Sequence, residues 1–140
     1  MSIFSVETLR EIIAQKRIET LFQPIVDLFS GECLGYEVFS HPKAEGVSAS
    51  EMFALARDAE LTCELDYACR EIALKNIAEK AEHSSHRKFF LNVDPHIFQE
   101  NSFERGHTLS LIRSLKLDQR SVVLEISEAA EVVDYAQFEI

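Results

Sequence analysis

Lys88-Phe89-Phe90-Leu91-Asn92-Val93-Asp94-Pro95 reads as a strand followed at once by a helix start. The run 88–93 is apolar and aromatic, as a strand inside a sheet requires. Asp94 then offers an N-cap. Pro95 suits a first helical position, where its missing N–H leaves nothing unpaired. The same grammar recurs downstream. A helical stretch with Leu109, Ile112 and Leu115 on one face leads to a second apolar strand, Ser121-Val122-Val123-Leu124-Glu125-Ile126. Strand, helix and strand in this order predict a parallel pair joined by a crossover.

Upstream, residues 5–17 place Val6, Leu9, Ile12 and Ile13 on one helical face. Thr20 to Leu28 reads as a strand in which Pro24 suggests an edge or a bulge. Ser30-Gly31-Glu32 signals a turn, and a second strand at about 33–40 closes a hairpin. Ser48-Ala49-Ser50-Glu51 fits a capping box for a helix to about Ala59. A longer helix starts near Thr62, carries Leu65, Cys69, Ile72 and Leu74 inward, and ends near His83-Ser84-Ser85. The segment 129–140 is helix-like. This order predicts an α/β fold, one domain over 1–140, with a leading helix and a β-hairpin before (βα) units. A complete (βα) barrel takes about 250 residues and eight parallel strands, so about three parallel strands amount to the N-terminal part of a truncated barrel.

The chain has 24 acidic and 14 basic side chains and a net charge of -10. Such a surface repels polyanions, which argues against a nucleic acid polymer as partner. An anionic ligand then needs metal ions or a local basic feature. No run of about 18 apolar residues exists, so no membrane insertion is expected. The start, Met1 to Glu7, lacks the basic stretch of a secretory signal, and a cytoplasmic location is expected. Cys33, Cys63 and Cys69 lack metal-ligand spacing and read as reduced, packing thiols. His83 and His86 sit in a polar stretch, and His96 and His107 show no partner in the sequence. Phe89, Phe90, Phe98 and Phe103 read as core.

Glu37, Asn92 and Glu125 are the polar residues that interrupt the expected strands. A charge late in an apolar strand is costly unless it is paired or holds a metal. In (βα) barrels the C-terminal strand ends line the active site, and all three residues lie near such ends. Singly, each reads as a solvent-facing or turn residue; together they predict side chains converging on one site. Carboxylate and amide oxygens are hard ligands suited to Mg²⁺ or Mn²⁺.

Several segments, in order, resemble EAL domains. Leu21-Phe22-Gln23-Pro24-Ile25-Val26-Asp27-Leu28, then Gly31, then Gly35-Tyr36-Glu37-Val38-Phe39, are similar to the family's opening strand, turn and Gly-Tyr-Glu-Ala-Leu. Leu91-Asn92-Val93-Asp94-Pro95 is similar to its second metal-binding strand. Leu124-Glu125-Ile126-Ser127-Glu128 is similar to its Glu-Ile-Thr-Glu segment. The resemblance spans residues 5–140 and makes the expected fold a partial EAL-type TIM barrel.

The resemblance implies a bacterial cyclic di-GMP signalling domain. Its relatives open one phosphodiester of cyclic di-GMP to give pGpG, using two divalent cations. It implies Glu37, Asn92 and Glu125 as metal ligands, Gln23, Phe39 and His41 at the ligand face, and Glu128 supporting the active-site loop. The chain departs from the family where Glu-Ala-Leu becomes Glu37-Val38-Phe39 and where His41 stands in place of an arginine. The family's later acidic pair, lysine and last glutamate fall beyond residue 140, so no catalytic set is complete here and this chain is expected to be inactive alone. The alternative is a degenerate, non-catalytic module that senses cyclic di-GMP or binds a protein. A partial barrel also predicts a homodimer or other self-association through open sheet edges.

Overall fold

The computed structural model describes residues 4–80 and 87–127. Glu128, His83, His86 and the helix expected over 129–140 lie outside the described residues. Helix α1 spans Val6–Ala14, with Ser5 as N-cap accepting the Thr8 N–H. Strands β1 (Ile18–Val26) and β2 (Cys33–Pro42) form the hairpin. Helices α2 (Ala49–Asp58) and α3 (Thr62–Lys80) follow, then β3 (Lys88–Val93). A short 3₁₀ turn at Pro95–Gln99 precedes α4 (His107–Ser114), and a second one at Gln119–Ser121 leads into β4 (Val122–Ile126).

The sheet order is β1-β2-β3-β4. β1 and β2 are antiparallel, whereas β2–β3 and β3–β4 are parallel. These parallel pairs and their crossovers are those of a (βα) barrel begun with a hairpin. β1 is an edge strand and its register shifts at Ile25/Val26. Both features suit Pro24, which has no N–H to give to a ladder. The turn beyond is held by Asp27, whose carboxylate accepts from Phe29 N–H, Ser30 N–H and Ser30 Oγ.

Alternation along the strands puts one row of side chains against the helices. Val38, Phe89 and Leu91 pack with Ala73, Leu74 and Ile77 of α3 and Ile112 of α4. Leu9 and Ile12 of α1, Ile18, and Met52 and Ala56 of α2 close a second core around Leu65. Each such fully buried aliphatic side chain is worth about 1.5–3 kcal/mol. Ile72 is half-buried beside this core, less inward than its helical spacing predicts. Cys63 and Cys69 are buried, and burial pushes both thiols up to about 12. Packing, not reactivity, is their role.

Several boundaries differ from the sequence reading: α1 is shorter than 5–17, and β1 runs Ile18–Val26 rather than Thr20 to Leu28. The capped segment at Asp94-Pro95 is only a 3₁₀ turn, and the true helix starts at His107 behind Gly106. Asp94 does cap the turn, accepting the His96 N–H at 3.0 Å. β2 runs on to Pro42 because β1 pairs with it as far as Ile18. Phe90 is not core: it shares the uncovered face with Glu37, its partner across the ladder. The other three phenylalanines pack as expected.

Candidate metal and ligand site

The face of the sheet away from the helices carries Gln23, Glu37, Phe39, Asn92 and Glu125. Gln23 lies opposite Glu37, Glu37 opposite Phe90, and Asn92 opposite Glu125. One register row therefore reads Gln23, Glu37, Phe90, Val123. Asn92 and Glu125 form the next row toward the C-terminal ends, one two-residue step of about 6.6 Å further on. Glu37 is thus mid-strand and not at the end of β2, since that strand continues to Pro42. Glu37 is half-buried, while Gln23, Asn92 and Glu125 are exposed. Among the described residues, no side-chain hydrogen bond or ion pair engages Glu37, Asn92 or Glu125.

The β2–β3 ladder ends at Val38↔Leu91, after which the strands part. A cavity of about 230 Å³ opens there, with Phe39, His41 and Phe53 around it and Asp66, Arg70 and Asn92 further along its lining. A second cavity, of about 370 Å³, is lined by Ser50, Phe53, Arg57, Asn92, Asp94 and Ser127. Asn92 is common to both, whereas Glu37 and Glu125 are outside the lining of either. Convergence of all three residues on one cavity is therefore not what these two cavities display; a shared sheet face is. Phe39 is 38% exposed. His41 donates from Nδ1 to the Pro42 carbonyl at 3.0 Å and lies 3.7 Å from Glu19.

The sequence reading missed the charged groups that support this mouth. Asp66 and Arg70 form a buried ion pair on α3, and Arg70 also donates to Thr108 Oγ1 at 3.0 Å. Asp66 accepts the backbone N–H of Asp94 at 3.4 Å, which ties α3 to the end of β3. Burial pushes the Asp66 carboxyl up to about 6 against the pull of Arg70. Arg70 Nε is buried without a hydrogen-bond partner among the described residues. The signal was present as an Asp and an Arg at i,i+4 spacing beside the inward Leu65 and Cys69. His96 and His107 also gain partners that their sequence context does not show. His96 Nδ1 is 2.6 Å from Asp94, and His107 stacks on Tyr67 at 4.0 Å.

Carboxylate and amide oxygens are hard donors of the kind a divalent cation takes, but among the described residues no group of three or more His, Cys, Asp or Glu side chains is placed to hold one. Asn92 and Glu125 are immediate neighbours, and Glu37 is within one diagonal step.

The fold has known counterparts. The EAL domain family matches residues 6–139. No curated protein matches the chain. Among solved structures, the chain is similar to the PaMucR phosphodiesterase in complex with c-di-GMP, with TM-score 0.76 and 14% identity over 88% of this chain and 51% of that one. It is similar to the Xanthomonas citri FimX EAL domain in complex with c-diGMP, with TM-score 0.73 and 18% identity over 89% and 49%. An EAL domain protein from Listeria monocytogenes EGD-e gives TM-score 0.66 and 20% identity over 94% and 52%. The chain spans 35% of the Bd1971 EAL enzyme and 53% of another FimX EAL domain. These likenesses place the fold as part of an EAL TIM barrel. A family match running from α1 to beyond β4 shows that the chain belongs to the EAL domain family.

Proposed function

We propose that this chain binds cyclic di-GMP across the C-terminal mouth of its sheet and carries one part of a divalent-metal phosphodiesterase site. The observation that carries the reading is the direct pairing of Asn92 with Glu125, on the same uncovered face as Glu37. Among the described residues neither acid has a hydrogen-bond or ion-pair partner, and Asn92 lines both cavities.

Glu37, Asn92 and Glu125 would hold Mg²⁺ or Mn²⁺ through oxygen. Such ions supply charge neutralisation at the phosphate and a more acidic water for in-line attack. The chain's own residues bind and orient. Gln23 stands beside Glu37 in the same row. Phe39 and His41 border the cavity where β2 leaves β3 and would contact the nucleotide. Glu128, outside the described residues, would support the active-site loop. In this reading water adds to phosphorus, the P–O3′ bond breaks, and the 3′ oxygen leaves with a proton as pGpG forms. The chain is a bacterial, cytoplasmic signalling module in the same reading.

The mid-strand place of Glu37, one row back from Asn92 and Glu125, favours a second reading: a sensor that binds the nucleotide without cleaving it. Calorimetry with cyclic di-GMP and Mg²⁺ tests the shared part, and a chain that does not bind it refutes both readings. Repeating the titration without Mg²⁺ then separates them: binding that needs the metal favours the phosphodiesterase site, and metal-independent binding favours the sensor. No pGpG is expected from the 140-residue chain alone. Turnover abolished by Glu37→Ala would overturn that expectation.

A further inference from the structure

A site for an anionic ligand on this chain faces an electrostatic problem. The net charge is -10, and the uncovered sheet face presents Glu37 and Glu125. Some cation must meet the ligand's phosphates. Three basic side chains line the two mouth cavities: His41, Arg57 and Arg70. Arg70 is 1% exposed and committed to Asp66 and Thr108. His41 has its Nδ1 engaged by the Pro42 carbonyl. Arg57 is permanently charged, and its side chain is 38% exposed at the larger cavity.

Arg57 is also held in place. It sits in the last turn of α2, where the helix carbonyls favour a cation. Its Nη1 lies 3.2 Å from Asp94 Oδ2. Asp94 is itself fixed: its Oδ1 takes the His96 ring at 2.6 Å and the His96 N–H at 3.0 Å. Its own N–H goes to Asp66. A guanidinium has five N–H donors in a rigid fork, so the contact to Asp94 leaves donors for a second acceptor. Asn92 and Ser127 border the same cavity.

The geometry points to Arg57 as a phosphate contact: its free guanidinium edge receives non-bridging phosphate oxygens of the ligand beside Asn92. The inference rests on the cyclic di-GMP reading and adds a side-chain cation to the metal ions of that reading. A planar bidentate fork suits two phosphate oxygens in a way that a lysine ammonium does not.

Calorimetric titration of the chain with cyclic di-GMP in Mg²⁺ tests it, using wild type, Arg57→Gln and Arg57→Lys. Arg57→Gln should weaken binding about tenfold or more, with Arg57→Lys between the two. The exposed pair with Asp94 is a small part of stability, so both variants should melt close to wild type. The loss should be absent with guanosine, which has no phosphate. Wild-type affinity in Arg57→Gln, or an equal loss with guanosine, overturns the inference while the functional reading stands. A wild type that ignores cyclic di-GMP refutes the functional reading instead. Inorganic pyrophosphate then decides on Arg57: binding lost in Arg57→Gln upholds the contact, and no binding or unchanged binding overturns it.

Discussion

Asn92 on β3 and Glu125 on β4 are direct partners across a parallel ladder, both exposed on the face that the helices leave uncovered. A parallel ladder holds neighbouring strands about 4.8 Å apart, close enough for two side chains to share one cation. Either Asn92→Ala or Glu125→Gln is therefore expected to weaken Mn²⁺ binding by more than about tenfold. Titration followed by the electron paramagnetic resonance of free Mn²⁺ measures this. Unchanged Mn²⁺ affinity in both variants would remove these two residues from the metal site.

Gly35 sits on β2 directly opposite Lys88 on β3. A Cβ at Gly35 would land on the Lys88 carbonyl, which is backbone and cannot swing aside. Gly35→Ala should therefore cost about 3 kcal/mol or push the two strands apart. Urea unfolding of the variant against wild type reads the cost. A value within experimental error of wild type would show that the ladder yields without penalty.

Asp66 binds its proton more tightly in the fold than in the unfolded chain, because burial raises its pKa from 3.8 to about 6. Its stabilising contribution is full below 3.8 and is lost as pH rises through about 6. The exposed carboxyls of Asp27, Glu51 and Asp118 run the other way. Hydrogen bonds from Ser30, Ser48 and Arg120 hold them below the ordinary range. Subtracting Asp66→Asn from wild type isolates the Asp66 part. Melting curves at pH 4 to 7 should show wild type losing ground to Asp66→Asn as pH rises, and a constant difference would contradict the assignment.

Leu28 and Phe29 at the hairpin tip are 102% and 101% exposed, with Val26 and Leu34 half exposed beside them. Leu21 and Phe39 add apolar area on the uncovered face. Burying such area is worth roughly 25 cal/mol per Å², before the cost of association. The isolated chain should self-associate, and Leu28→Ser with Phe29→Ser should reduce this. Sedimentation velocity over a range of concentrations reports it; a monomer at every concentration would refute the expectation.

The sequence by itself determined the element order, the hairpin, the capping box at Ser48 and Glu51, and the sheet face of Asn92 and Glu125. These follow from periods of two and 3.6 residues and from caps, which act between near neighbours in the chain. Tertiary structure decided what depends on distant partners. β2 outran its expected end near residue 40, to Pro42, because β1 pairs with it as far as Ile18. The Pro95 segment became a 3₁₀ turn, and the helix began at His107. Arg57 met Asp94 across 37 positions, and Arg70 met Thr108 across 38. No local pattern encodes such pairs. They form because packing α2, α3 and α4 on one face of the sheet leaves these charges at its mouth, where each must find a partner or stay in water.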